Sequence, residues 1–276
     1  MPVSKLKNLV ILILLLCNVF LLILVVPGRL AAQQQRSALR EELVTLYAGY
    51  GLSLPEGALP EGQALHLLEA QYDTDVALTA ARALLGEQVL AESDSGSYQT
   101  TYTSTLGKCT IRRDSLTASL TGGASVNGSL RTATRKTLGR MGFAIDTLGS
   151  PVSDGTTNTV TARQSIAGAT VFSCELTFTY QGGVLQSVSG GYCPAAKTLT
   201  AIGTETSISC ADALVAFLNS MEQTGWVGSA VTAIEQGYLL AESAGASTVQ
   251  LIPVWRLSTD TGVFFVHGIT REVSPW

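Results

Sequence analysis

Charge is scarce in this chain. Only 14% of its 276 residues are Asp, Glu, Lys or Arg, against 46% hydrophobic. The 17 basic and 21 acidic side chains leave a net charge of −4 and a pI near 5.2. That balance gives no basic footprint for nucleic acid and no broad electrostatic grip on anionic lipid. Histidine is nearly absent. His66 lies in LHLLE and His267 in FFVHGI, and neither has a second His or a carboxylate nearby at metal-ligand spacing. Both read as packed or surface histidines. No G-x-S-x-G, S-x-x-K, H-E-x-x-H or P-loop motif occurs. The pairs Gly122-Gly123 and Gly190-Gly191 read as turns rather than phosphate cradles. The carboxylate pairs Asp73/Asp75 and Glu41/Glu42 fall at a helix cap and on a charged helix face, their usual structural places. No catalytic, cofactor-binding or metal-ligating residue is assigned, and the chain reads as not an enzyme.

Cysteine is sparse and has no CxxC spacing, which excludes the usual structural zinc sites. Cys17 lies inside an apolar run. Cys109, Cys174, Cys193 and Cys210 form an even set that suits either disulfides, in any of three pairings, or buried thiols. Sequence does not choose between them.

What the chain does have is one long apolar run, Leu9–Val26, without charge and with the single amide Asn18. At about 1.5 Å rise per residue it covers most of a hydrocarbon core of about 30 Å. It is too long for the apolar region of a signal peptide, and Leu30 spoils an A-x-A cleavage site ending at Ala32. The expectation is a short cytoplasmic tail over 1–7, a transmembrane anchor over 8–27 and a C-terminal extracellular ectodomain. Asn18 either bonds its own helix's carbonyls or makes an interhelical hydrogen bond.

Past the anchor, low charge and Thr/Val-rich segments favour sheet. Residues 28–50 read as a membrane-proximal helix with Leu39, Leu43, Leu46, Tyr47 and Tyr50 on one face. A first α+β unit occupies 51–126: Asp73 or Thr74 caps a helix ending at Gly86, and β-like runs follow at Ser97–Thr105, Lys108–Arg112 and Ser115–Leu120. The region 127–276 holds two helix-plus-three-strand units. In one, Ser129 caps a helix closed by Gly142, and Asn158–Gln164, Thr170–Tyr180 and Val184–Ser189 follow, the last two joined by Gln181-Gly182-Gly183. In the other, Ser209 and Asp212 form a capping box, Gly225 ends the helix, and Ala230–Leu240, Thr248–Leu257 and Val263–Ile269 follow. Pro253 donates no ladder hydrogen bond and therefore predicts an edge or bulged strand. Trp255 reads as a core or sheet-face anchor. The fold class is α+β, with helices laid on antiparallel sheet.

Two stretches resemble a known family. Leu16, Asn18, Phe20 and Leu21 within LLLCNVFLL resemble the start of YycI-type regulatory proteins of Gram-positive bacteria. Gly237-Tyr238, Leu251–Leu257, Thr259–Gly262 and Phe264–Val266 are similar to the end of such proteins and to PepSY-like and YycH-like units. The resemblance covers about the first 50 and last 70 residues. It implies a single-span, non-enzymatic regulator in a cell-wall two-component system, without cofactor. The implied partners are a sensor histidine kinase and a YycH-like sister protein, in a homo- or hetero-oligomer. Leu16, Asn18, Phe20 and Leu21 then become the transmembrane contact candidates. The alternatives are an anchored PepSY-like binding module, for protease inhibition or an envelope ligand, and an envelope enzyme with a dispersed site.

Overall fold

The run ATVFSCELTFTYQ alternates small or polar residues with large apolar ones, the period of a strand with one buried face. In the computed structural model it is a 13-residue strand, β9 (Ala169–Gln181), with Val171, Cys174, Leu176, Phe178 and Tyr180 buried. The structure describes residues 14, 35, 37–55, 59–94, 99–123, 125–126, 128–221, 227–242 and 248–276.

Everything else is arranged about β9. On one side lies β8 (Thr157–Ile166), antiparallel along its whole length and flanked by the short strands β6 (Ile145–Leu148) and β7 (Val152–Asp154). On the other lies β10 (Val184–Gly191), reached through Gly182 and Gly183 at φ +56° and +78°. Two consecutive positive φ values match the right-handed twist of a hairpin, and glycine adopts them without a Cβ clash. Gly190 and Gly191 prove to be strand residues rather than a turn. A Cβ at Gly191 would lie 1.8 Å from the Ser173 carbonyl oxygen, so glycine there permits β10 to approach β9.

β10 continues antiparallel into β5 (Ser115–Leu120), and the meander runs out through β4 (Gly107–Ile111), β3 (Gln99–Ser104) and β2 (Leu90–Asp94). Two helices, α2 (Thr74–Leu85) and α3 (Leu130–Arg140), cover this half of the sheet. The Asp73 carboxylate accepts from the Asp75 and Val76 backbone N–H groups and starts α2, as expected, a contribution of about 1 kcal/mol. Leu84, Leu85, Ile111, Leu116, Leu138, Met141, Phe178, Tyr180 and Tyr192 share one core beneath the helices.

A second half is built on β12 (Val231–Glu242), β13 (Thr248–Thr259), β14 (Val263–His267) and β15 (Val273–Pro275). Its cover is α4 (Cys210–Asn219) together with α1 (residues 37–49). Ser209 caps α4 by accepting from the Asp212 N–H, and its hydroxyl donates to the Asp212 carboxylate at 2.6 Å. Leu43 and Tyr47 anchor α1, and the Tyr47 hydroxyl donates to the Leu214 carbonyl at 2.8 Å. Leu39, Leu46 and Tyr50, expected on the same buried stripe, are exposed. Trp255 is fully buried and donates its indole N–H to the Ile208 carbonyl.

The halves join where β12 runs parallel to β9, through Gly237 opposite Thr170 and Tyr238 opposite Val171. The far edge is completed by β1 (His66–Tyr72) beside β13, and by β11 (Ala195–Thr206) outside β1. The path is β11-β1-β13-β12-β9-β10-β5-β4-β3-β2. Pro253 is accommodated without a bulge at its position and without β13 being an edge strand. Pairing of β13 with β1 ends at Leu251 and pairing with β14 begins at Val254. The Pro253 carbonyl accepts from Gly268 N on that side, so the missing N–H falls in the gap between the two neighbours.

The expected single-span architecture is corrected. Among the described residues no helix is long and apolar enough to cross a membrane. The 12 residues of α2 rise about 18 Å, against a hydrocarbon core of about 30 Å. Leu9–Val26 lies outside the described residues apart from Leu14, and so do the contact candidates Leu16, Asn18, Phe20 and Leu21. The readings built on an anchor are withdrawn with it: the membrane-anchored kinase regulator, the anchored binding module, and the cytoplasmic N-terminus with an extracellular ectodomain. What stands is an α+β fold of repeated helix-and-strand units.

Candidate binding groove

α3 is the most charged element of a weakly charged chain. Its sequence LRTATRKTLGR carries Arg131, Arg135, Lys136 and Arg140 and no carboxylate, although the whole chain is net negative. Helical geometry sorts its residues into three faces. Leu130, Thr134 and Leu138 lie towards the sheet, Arg131 and Arg135 lie on the flank outside the groove, and Ser129, Thr132, Ala133, Lys136, Thr137 and Arg140 form a third side.

That third side lines a groove of about 620 Å³. The opposite wall is the last turn of α2, with Ala83, Leu84 and Gly86. The floor is Leu106, Leu120, Leu185 and Tyr180, closed at one end by Gly122, Gly123, Ser125 and Val126. A Cβ at Gly123 would fall 2.3 Å from the Leu185 carbonyl oxygen, so only glycine lets that strand end pass so near β10. Among the described lining residues there is no carboxylate, histidine or cysteine.

Three contacts hold the walls. Thr134, fully buried, donates its hydroxyl to the Leu130 carbonyl at 2.9 Å. Its single proton is thereby used, which leaves the Tyr180 hydroxyl as donor to Thr134 Oγ1 at 2.8 Å. Burial raises the Tyr180 phenol above its ordinary value, and the Thr134 bond partly offsets this. At the far end the Arg140 guanidinium donates to the Ala83 carbonyl, one of the four a helix C-terminus leaves without an internal partner. Arg131 donates to the Leu148 carbonyl at 3.2 Å and fixes the outer edge of α3.

The other residues singled out in the sequence fill structural places. His66 lies on β1, its Nδ1 3.0 Å from the Glu205 carbonyl. His267 Nδ1 accepts from the Ile269 and Thr270 backbone N–H groups and shapes the turn after β14. Asp73 caps α2, and Asp75 stands in its first turn. The four cysteines are buried thiols in the structure, which settles the disulfide question for the described fold. Burial pushes Cys109 and Cys210 up to about 12 and Cys174 well above its ordinary value, so none of these three is an activated thiolate. Trp276 is exposed with its ring 5.1 Å from that of Phe265, and its backbone N–H donates to the Val263 carbonyl. Among the described residues no group of three His, Cys, Asp or Glu side chains is placed to hold a metal ion.

Sequence reasoning missed the groove. The cation run in α3 is visible in the chain, but its opposite wall comes from α2 and its floor from strands far away in sequence.

Comparison with known proteins assigns neither a family nor a function. No family model matches the chain, and no curated protein matches it. Among solved structures, the Bacillus megaterium YpeB C-terminal domain matches 75% of this chain and 98% of its own length, at 13% identity and a TM-score of 0.35. The likeness is therefore a distant, partial one to a PepSY-like domain of the YpeB type, and not specifically to the YycH/YycI family.

Proposed function

We propose that this protein is a non-enzymatic binding module whose working surface is the groove between α2 and α3, and that its partner is a protein. The observation that supports this reading is the lining itself. An apolar floor of leucines, a rim of hydroxyls and two cations make a receptor with both burial and orientation to offer. The usual acid–base groups, carboxylate, histidine and cysteine, are absent from the described lining, and the hydroxyl of its one tyrosine, Tyr180, is committed to Thr134.

The test is site-specific photocrosslinking in extracts of the source cell, with a crosslinking amino acid at Thr132 in the groove or at Arg135 on the outer face. A discrete crosslinked protein from Thr132, absent from Arg135 and abolished by Ala133→Trp, is the expected result. A sensor kinase and a YycH-like sister protein, implied by the sequence resemblance, are the first baits to offer. Equal crosslinking from both faces, or turnover of ester, peptide or phosphate substrates that Ala133→Trp abolishes, would overturn the reading.

A further inference from the structure

We infer that the occupant of this groove is an acidic peptide segment of the partner, held by Lys136 and Arg140 over the leucine floor. The inference rests on the binding-module reading and names its ligand. Two independent observations point to it. The groove wall formed by α3 is cationic in a chain of net charge −4, and no described lining residue is a carboxylate. The floor is apolar, with Leu106, Leu120 and Leu185 along it and Leu84 beside them in the α2 wall.

Charge alone would suit many anions, and the floor narrows the choice. A small inorganic anion leaves the accessible leucine surface, that of Leu106 and Leu185, uncovered. A nucleic acid asks for stacking aromatics and a basic stripe. The groove's described lining holds one aromatic, Tyr180, whose hydroxyl is already committed to Thr134. The 11 residues of α3 give a wall about 16 Å long, room for about five extended residues. A short strand of alternating Glu and Leu places carboxylates towards Lys136 and Arg140 and apolar side chains on the floor. Arg140 already donates to Ala83, and a guanidinium with five N–H donors can keep that bond while meeting a carboxylate.

The experiment is fluorescence anisotropy on the full chain with three labelled peptides of one pattern: Glu/Leu, Gln/Leu and Lys/Leu. The Glu/Leu peptide should bind at least about tenfold more tightly than the Gln/Leu peptide, with affinity falling as salt rises. Lys136→Glu should weaken it about tenfold or more, while Arg135→Glu, with the same change of charge one residue away but outside the groove lining, should leave it within about twofold. Both positions are exposed, so neither substitution threatens the core.

Equal binding of the Glu/Leu and Gln/Leu peptides, or equal loss from Lys136→Glu and Arg135→Glu, overturns the inference. So does a Glu/Leu peptide that fails to bind. The Thr132 crosslink then separates the cases: a crosslinked protein leaves the module reading standing with a different ligand, and none removes both. Phosphatidylglycerol vesicles form the last arm. Lys136-dependent binding to them in place of the peptide assigns the groove to a lipid surface and overturns the inference.

Discussion

Gln164 holds Cys193 by both of its backbone groups. The Cys193 N–H donates to Gln164 Oε1 at 3.0 Å, and Gln164 Nε2 donates to the Cys193 carbonyl at 3.1 Å. Gln164 follows Val160 and Ala162 on the buried face of β8, beside the β8–β9 register shift between Arg163 and Ser165, and is one of few buried polar groups among the described residues. The amide completes a ladder rung at the point where the chain leaves β10.

Removing that amide should therefore cost far more than its size suggests. Gln164→Leu keeps the volume and strands two buried backbone groups, a loss of about 2–4 kcal/mol in urea unfolding. Gln164→Glu keeps the acceptor for Cys193 N–H and discards the donor, and its buried carboxyl should make stability fall as pH rises. An unaltered midpoint for Gln164→Leu would show that the contact contributes nothing.

The pair under the groove tests how α3 is tethered. Thr134→Val leaves the Tyr180 hydroxyl buried without its acceptor and should destabilise by about 1–2 kcal/mol. Tyr180→Phe should cost less. The double substitution should cost about as much as Tyr180→Phe alone, since the orphaned hydroxyl is then gone. Additive losses would mean the two groups do not interact.

His267 gives the fold a pH dependence whose sign is fixed by its bonds. Nδ1 accepts two backbone N–H groups, so protonating it breaks the turn. Burial lowers its pKa below the ordinary 6.5, with Glu272 opposing. The unfolded chain then binds the proton more readily than the folded one. This contribution to stability is fully present above 6.5 and is lost as pH falls from 6.5 through the lowered folded value. Melting temperature should drop over that window in the parent, and His267→Ala should start lower and lose that part of the slope. An identical slope in both would place the dependence elsewhere.

The buried thiols should be silent in the native state. At pH 8, iodoacetamide should leave Cys109, Cys174 and Cys210 unlabelled while the chain is folded and label all three in urea, read by peptide mass. Labelling of any of them at the unfolded rate in native buffer would contradict its burial.

Much of the secondary structure was legible because it rests on local rules. Asp73 before an apolar helix, Ser209 three residues ahead of Asp212, and the strict alternation in β9 each identify an element from neighbours in sequence. Strand β5 (Ser115–Leu120) falls on its expected bounds. The missed strands, β2, β6, β7, β11 and β15, lack that signature. β2 is exposed along its whole length, and β15 is three residues ending in proline, so burial wrote no period into them.

Composition and hydrophobic period, then, determined by themselves that this chain would lay helices on antiparallel sheet, because each residue's face is set by its own backbone. Tertiary structure alone decided the rest. It joined the halves through the parallel contact of Gly237 with Thr170, placed Pro253 between two neighbouring strands, and kept the cysteines as thiols. It also brought the cations of α3 opposite the end of α2 to make a groove. Those are meetings of residues far apart in sequence, fixed by which surfaces pack together rather than by any local preference.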